Sequence, residues 1–189
     1  MSKNIIIVAS GNAHKLQEIA EILTGFELVS MRDKGFGGEI DETGSTFKEN
    51  AFIKAKFIAE KFNMPALADD SGLCVDALNG APGVFSARYS GGGDKANRAL
   101  LLKNLENAND RTARFKSAVC LYFPDGRTVY GEGACAGRIL NGEVGENGFG
   151  YDSIFYSDDL KKSFGEASAE EKNKVSHRFR ALNDLKSKL

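Results

Sequence analysis

Excess charge, long apolar runs and paired cysteines are all scarce in this sequence of 189 residues. The net charge is −1, which argues against a general nucleic-acid-binding protein because such a protein needs a basic face. The three cysteines, Cys74, Cys120 and Cys135, lack close metal-ligand spacing, so we expect reduced thiols. The apolar segment 5–9 is too short for a signal peptide or a membrane span. We therefore expect one soluble, cytoplasmic domain over residues 1–189, with no membrane partner and a small anion as ligand.

The N-terminal segment reads as strand, turn and helix. Residues 4–9 form an apolar run, residues 10–12 break it, and residues 13–23 repeat apolar side chains at helical spacing. Such a turn points helix N-terminal amides at an anion, and Lys15 adds a positive charge in the first turn. Taken alone, this pattern is more often only a tight turn with a surface lysine.

A second segment places Asp41 and Glu42 on a loop before a capping box formed by Thr46 and Glu49. The box predicts a helix that runs to about Phe62. Lys54 lies one helical turn beyond Asn50, so both share one stripe and can approach the acids. A lysine at such a position is more often a solvated boundary residue, so the acids are the stronger candidates.

A third segment, residues 65–68, predicts a short buried strand that ends at Asp69, Asp70 and Ser71. Open α/β sheets bind ligands at the carboxyl ends of their strands. Magnesium binds through one or two carboxylates plus substrate phosphates, which suits Asp70 together with Asp41 or Glu42. Without the other motifs, a turn stabilised by an aspartate side chain is an equally good interpretation.

The C-terminal half combines scaffold with late cations. Residues 114–123 and 127–137 predict a β-hairpin, residues 94–106 a helix, and the glycine-rich stretch 142–150 a flexible loop. Ser168 and Glu171 form another capping box. At about 100° per residue, Lys172 and His177 would lie roughly 140° apart on one continuous helix. We therefore predict a break at residues 174–176, with Ser176 capping the last helix.

Several motifs occur in an order and spacing that resemble the inosine and xanthosine triphosphate pyrophosphatase family, whose members hydrolyse noncanonical purine nucleotides. The resemblance covers nearly the whole chain, and it lies in residues 10–15, 46–51, 68–73, 80–83, 86–91, 148–152 and 176–178. It implies an α/β fold with a long mixed twisted sheet, flanking helices and two lobes around a central nucleotide cleft. It also implies a homodimer and Mg²⁺ as cofactor.

The resemblance further implies roles for individual residues. It assigns Asp70 as general base and metal ligand, with Asp41 as a second ligand. Lys15 or Lys54 would offset charge on the leaving pyrophosphate, and Glu42 is an alternative ligand beside Asp41. The residues expected to bind substrate are Ser10, Gly11, Asn12, Ala13, His14, Lys15, Ser71, Phe149, Gly150, Tyr151, Asp152, Lys172, His177 and Arg178.

Three positions differ from the commonest pattern of that family. Ser10 stands where threonine is frequent and retains a hydroxyl, while Asp41 stands where glutamate is frequent. Ser153 replaces a frequent proline, which predicts a looser loop on the side of the base. Precision of base selection is therefore the property that this sequence puts most in question.

Base selection is a hydrogen-bonding problem. Hypoxanthine and xanthine carry a keto oxygen where adenine carries an amino group, so a donor such as Arg178 favours the former. A pyrophosphatase for modified pyrimidine nucleotides is an alternative if Phe149 stacks on any base. A non-catalytic nucleotide sensor is a second alternative, against which the presence of Asp70 argues.

Overall fold

A computed structural model describes residues 5–189 of the chain, so Asn4 of the predicted first strand lies outside the described residues. Within that range the chain forms seven strands and five α-helices. The strands are β1 (Ile5–Val8), β2 (Glu27–Ser30), β3 (Ala66–Val75), β4 (Thr112–Tyr122), β5 (Thr128–Ile139), β6 (Phe155–Ser157) and β7 (Lys162–Ser163). The helices are α1 (Ala13–Ile22), α2 (Phe47–Phe62), α3 (Asp94–Asn104), α4 (Ala169–Lys172) and α5 (His177–Lys186).

The strands make one mixed sheet in the order β2-β1-β3-β4-β5-β6-β7. β1 pairs in parallel with β2 and β3, whereas β6 pairs antiparallel with β5 and β7. The predicted hairpin is present as the neighbouring strands β4 and β5. The predicted α/β class, with a mixed sheet and flanking helices, is therefore confirmed. The two-lobed arrangement around a cleft stays a prediction.

Contacts within the chain group it into two compact units. Among the described residues, the first contains residues 5–70, Ser117–Gly133 and Arg178–Leu189, and the second contains Ser71–Lys116 and Ala134–His177. The single domain expected over residues 1–189 stays a prediction.

The first unit buries apolar side chains on both faces of its strands. Successive residues of β1 alternate: Ile6 packs with α1 and α5, and Ile7 packs against Ala51, Ala55 and Ile58 of α2. This alternation follows from the period of two residues in a strand. Helices therefore cover both faces of β1. The polar residues at the ends of β1 and α2 remain available to form a site.

The second unit has an aromatic core. The Phe115 ring packs against Phe155 with centroids 4.7 Å apart and against Phe164 at 6.0 Å. Leu101 of α3 and Ile154 are fully buried in the same cluster. This core supports α3 and the segment that precedes β6.

The predicted end of the third strand is wrong. β3 continues through Asp69, Asp70 and Ser71 to Val75, so the acids lie inside a strand. Its parallel pairing with β1 nevertheless stops at Leu67, just before the two acids. Buried partners replace the solvent that a turn would have offered to these carboxylates, which is why the polar run does not end the strand.

Local signals at the helix ends are confirmed. Both capping boxes are present, with Thr46 and Glu49 at the start of α2 and Ser168 and Glu171 at the start of α4. The C-terminal segment breaks as predicted, because α4 ends at Lys172 and α5 begins at His177. Capping of α5 by Ser176 stays a prediction. No helix among residues 5–189 combines the length and apolar character needed to cross a membrane.

Candidate active site

The turn between β1 and α1 is arranged as the sequence predicts. The Asn12 side chain caps α1 by accepting hydrogen bonds from the backbone N–H groups of His14 at 3.0 Å and Lys15 at 3.3 Å. The Ser10 hydroxyl in turn accepts the Asn12 N–H at 3.2 Å. This network fixes the start of a ten-residue helix, where the partial positive charge of the helix dipole favours anions.

Asp69 is the centre of a buried charge cluster in the first unit. Its Oδ2 atom lies 2.9 Å from Lys15 Nζ and 3.0 Å from Arg178 Nη2, and its Oδ1 atom accepts a hydrogen bond from the Ser117 hydroxyl at 2.5 Å. Burial alone would raise the pKa of the Asp69 carboxyl, but Arg178 and Lys15 hold it well below its usual value. Asp69 is therefore a fixed anion that holds two cations.

Arg178 donates to two carboxylates within the first unit. Besides Asp69, its Nη1 atom contacts Glu18 of α1. Burial lowers the pKa of the guanidinium, but the two carboxylates raise it overall. These contacts fix the orientation of Arg178, and its predicted contact with a base is a matter for proposal.

Lys54 lies among the acidic groups of the first unit, as the stripe on α2 predicts. Its Nζ atom is 2.6 Å from Glu42 Oε1, 3.3 Å from Asp70 Oδ1 and 3.1 Å from the carbonyl oxygen of Asp69. Burial lowers the pKa of Lys54, but Asp70 and Glu42 raise it overall. Lys54 is thus a buried cation rather than a solvated boundary residue.

Asn50 links the acidic loop to Asp70. Its side-chain N–H donates to Asp70 Oδ2 at 3.2 Å, while its side-chain oxygen accepts the Gly44 N–H at 2.8 Å. A Cβ atom at Gly44 would lie only 2.6 Å from Glu49 Cβ, so the loop approaches α2 too closely for a larger residue. This packing carries Glu42 to its contact with Lys54.

Asp70 has a different electrostatic environment from its neighbour. Burial raises the pKa of its carboxyl, and the nearby Lys54 and Lys15 cations offset this only in part. A carboxylate with a raised pKa is a stronger base than an ordinary aspartate, which suits proton abstraction. The contrast with Asp69 separates a structural anion from a candidate base.

The donor set around Lys54 Nζ fits a divalent cation of the magnesium type. Glu42 and Asp70 direct carboxylate oxygens at one positive centre, and magnesium uses such hard oxygen ligands, usually one or two carboxylates plus phosphate oxygens. Asp41 is exposed. Among residues 5–189, no cluster of three or more His, Cys, Asp and Glu side chains is arranged to hold a metal. The fit therefore depends on phosphate oxygens completing the coordination.

In the second unit, Lys172 and Asp152 form a buried pair beside Phe149. Lys172 Nζ is 2.7 Å from Asp152 Oδ2 and lies 4.7 Å from the centre of the Phe149 ring. The same Asp152 oxygen accepts the Phe149 N–H at 2.9 Å. Gly148 adopts a φ of +77°, and a Cβ atom there would collide with this carboxylate. The loop is thus folded around the Asp152 side chain.

The remaining predicted residues of the second unit are His177, Ser71, Gly150 and Tyr151. The His177 ring stacks on Phe115, with centroids 4.9 Å apart and an angle of 14° between the planes. Tyr151 is buried and its hydroxyl donates to the Ser86 carbonyl at 2.7 Å. Ser71 is partly exposed on β3. The structure therefore brings Phe149, Asp152 and Lys172 together, and places Lys15, Lys54, Asp69, Asp70 and Arg178 in the first unit.

Two partners of these residues were not predicted from the sequence. Glu18 follows Lys15 by three positions on α1, so its helical spacing could have indicated a shared face. Ser117 lies on β4, 48 residues from Asp69 along the chain, and carries no signal apart from strand alternation. Sequence patterns reveal pairs within one element far better than pairs between elements.

Comparisons with known proteins extend over nearly the whole chain. The model of the Ham1 family matches residues 6–188. A dITP/XTP pyrophosphatase from Haemophilus influenzae is 46% identical over 195 residues, which cover 99% of this chain and 100% of that protein. A dITP/XTP pyrophosphatase from Bacillus anthracis is 45% identical, with 97% of this chain and 95% of that protein covered.

Solved structures agree in fold. The Ham1 protein of Staphylococcus aureus superposes with a TM-score of 0.88 at 41% identity, covering 97% of this chain and 96% of that one. A HAM1 protein from Coxiella burnetii gives a TM-score of 0.88 at 39% identity over the same shares. The family resemblance predicted from the motifs is confirmed, and the chain belongs to the Ham1 family.

Proposed function

We propose that this chain is a pyrophosphatase that hydrolyses noncanonical purine nucleoside triphosphates, namely those of inosine, deoxyinosine and xanthosine, to monophosphate and pyrophosphate. This activity removes such nucleotides from the cellular pool. Relatives that match over nearly their full length are dITP/XTP pyrophosphatases. The observation that carries the chemistry is the pairing of Asp70, whose burial raises its pKa, with Lys54 at 3.3 Å.

Phosphate binding is assigned to the turn of residues 10–15. The amides at the start of α1 and the Lys15 ammonium provide positive potential for a triphosphate. Asp69 holds Lys15 in place at 2.9 Å, and burial lowers the pKa of Lys15. A lysine anchored in this way presents its charge with little loss of side-chain entropy on binding.

Asp70 is assigned as the general base. Its carboxylate takes a proton from a water molecule whose oxygen attacks the α-phosphorus, and the bond between that phosphorus and the bridging oxygen breaks, releasing pyrophosphate. Asn50 orients the carboxylate through its 3.2 Å hydrogen bond. Lys54 offsets the negative charge that builds up on the phosphates.

Magnesium is the proposed cofactor, with Asp70, Glu42 and Asp41 as candidate ligands. A bound magnesium ion would neutralise phosphate charge and make the attacking water easier to deprotonate. Lys54 already lies between Glu42 and Asp70, so the ammonium keeps these two carboxylates close to one cationic position.

Base recognition is assigned to Phe149, Gly150, Tyr151 and Asp152, together with Ser71, Lys172, His177 and Arg178. The aromatic face of Phe149 offers stacking, and the cations offer donors to the keto oxygen shared by hypoxanthine and xanthine. Asp69 and Glu18 hold the Arg178 guanidinium in one orientation, which is what a donor needs in order to discriminate.

Two broader assignments also belong to this proposal. The resemblance implies a homodimer, which sedimentation equilibrium of the purified chain would establish. The proposed activity is also consistent with action in the cytoplasm, where the nucleotide pool is found. Cys120 and Cys135 are buried, and Cys74 is partly exposed.

The general-base assignment is tested by Asp70→Asn. We expect turnover of inosine triphosphate to fall by about 100-fold or more, because general-base catalysis typically contributes that much. Asp158→Asn makes the same chemical change at an exposed position and should retain parental turnover. If Asp70→Asn keeps turnover within about tenfold, another group is the base. Tight nucleotide binding without turnover in the parent would favour a nucleotide sensor.

A further inference from the structure

We propose that Asp94 and Arg98 of α3 are positioning residues that hold the base-side loop, residues 143–153, and thereby set the affinity for the nucleotide base. The inference rests on the proposed function, because the role of Phe149 and Asp152 toward a base is part of that function. Neither Asp94 nor Arg98 carries a role in the account above.

The two side chains hold both polar groups of one backbone residue. Asp94 Oδ2 accepts the Gly150 N–H at 2.8 Å, and Arg98 Nη1 donates to the Gly150 carbonyl at 2.8 Å. Asp94 and Arg98 are four residues apart on α3, so they project from the same face of the helix. Gly150 has a φ of +61°, a left-handed conformation that glycine adopts more readily than residues with a Cβ atom.

Arg98 also reaches the start of the same loop. Its Nε atom is 3.1 Å from Glu143 Oε1, and the Ser153 hydroxyl donates to Glu143 Oε2 at 3.2 Å. The Glu143 side chain is 46% exposed, so solvent screens this ion pair and the Gly150 contacts carry more of the effect. Arg98 thus connects residue 143 with residue 150.

The position of Ser153 gives these contacts a particular purpose in this chain. A serine leaves its backbone freer than a proline would, so contacts made by its side chain can contribute to ordering the loop. The side-chain contacts from α3 add to the restraint that the Asp152 side chain already places on this loop through the Phe149 N–H. The bond from Ser153 to Glu143 adds to that restraint.

α3 is a suitable fixed point because its own first turn is anchored. The buried Asn97 accepts the Ser90 N–H at 2.7 Å and donates to the Ala87 carbonyl at 3.1 Å. Sites supported by a well-packed helix are held more precisely than sites on loops. Asp94 and Arg98 therefore hold the Gly150 backbone at a fixed position relative to α3.

Gly150 lies between Phe149 and Tyr151 in the chain, so a shift of its backbone moves both. Phe149 faces the Lys172 ammonium at 4.7 Å, and its N–H is bonded to Asp152. Loss of the α3 contacts should therefore weaken recognition of the base. The same loss should leave Lys15, Lys54 and Asp70 unaffected, because these residues belong to the first unit.

The test compares Arg98→Gln and Asp94→Ala with Lys103→Gln, which removes a charge from an exposed position of the same helix. For inosine triphosphate we expect KM to rise about tenfold in each of the first two variants, in line with the loss of a charge-assisted hydrogen bond, and kcat to change less than about twofold. Inhibition by tripolyphosphate, which has no base, should equal that of the parent. Arg98→Lys, which retains a donor, should recover part of the loss.

Hydrogen exchange of the loop amides provides a second measurement that needs no turnover. We expect the Gly150 amide to exchange about tenfold faster in Asp94→Ala than in Lys103→Gln, because its acceptor is lost. Unchanged KM and unchanged exchange in both variants would overturn the inference. Equal changes in KM, kcat and tripolyphosphate inhibition would overturn it as well, since they indicate general damage. If the parent itself fails to hydrolyse any nucleotide, the proposed function fails, and the exchange rates still decide whether α3 orders the loop.

Discussion

Asp69 and Asp70 are adjacent on β3, yet their environments shift the two pKa values in opposite directions. Contacts with Arg178 and Lys15 lower the pKa of Asp69 despite its burial, whereas burial raises the pKa of Asp70. Neighbouring carboxylates with separated pKa values can take separate roles. At this scale Asp69 holds cations and Asp70 handles protons.

The structural role of Asp69 gives a prediction about stability. Asp69→Asn removes the anion shared by Lys15 and Arg178 and leaves both cations buried with less compensation. We expect the free energy of unfolding to fall by about 3–5 kcal/mol, as when one partner of a buried ion pair is lost. Urea unfolding followed by circular dichroism measures this quantity.

The exposed Asp158→Asn variant is the control for that measurement. A surface change of this kind should alter the free energy of unfolding by no more than about 0.5 kcal/mol. A loss of less than about 1 kcal/mol in Asp69→Asn would show that the cluster does not depend on this charge.

Individual residues also show what the sequence can reveal. Helical periodicity predicts that Lys54 and Asn50 lie on one face of α2, and both side chains contact Asp70. The contacts of Ser117 with Asp69 and of Arg98 with Gly150 were not predictable, because only the assembled fold brings these residues close together.

At the scale of elements, short signals at helix ends were the most reliable. The Ser168 and Glu171 box starts α4, and the break before α5 follows from the impossibility of placing Lys172 and His177 on one face of a continuous helix. The end of β3 was mispredicted because a run of Asp, Asp, Ser and Gly favours a turn locally, while buried cations stabilise it within a strand.

The cap of α4 predicts a specific behaviour with pH. Hydrogen bonds from Lys162 and Ser168 lower the pKa of Glu171 to about 2, against about 4.3 for an ordinary glutamate. Because the folded-state pKa is depressed, ionised Glu171 favours the folded helix above about pH 4.3, and this contribution is lost as the pH falls through about 2. Carboxyl chemical shifts recorded by NMR against pH should give a Glu171 midpoint near 2.

Two variants complete that experiment. Glu171→Gln should remove the corresponding titration, and Lys162→Gln should move the Glu171 midpoint upward, because one of its donors is lost. A Glu171 midpoint near 4.3 in the parent would contradict the capping geometry.

At the scale of the whole molecule, the α/β class and the mixed sheet were predictable, because ordered motifs along nearly the whole chain resemble one family. The division into two compact units was harder to predict from the sequence. The boundary between the units falls inside β3, β4 and β5 rather than in linkers that composition would reveal. Roles of individual residues toward a nucleotide stay predictions, and their chemistry is consistent with the buried charges of the first unit.

The most direct test of the central claim is a product assay. The purified chain would be incubated with magnesium and triphosphates of inosine, xanthosine, adenosine, guanosine and modified pyrimidines, and pyrophosphate would be separated from orthophosphate. The account predicts monophosphate and pyrophosphate from the inosine and xanthosine nucleotides, with far slower reaction of the others. Release of orthophosphate, or a preference for pyrimidine nucleotides, would contradict it.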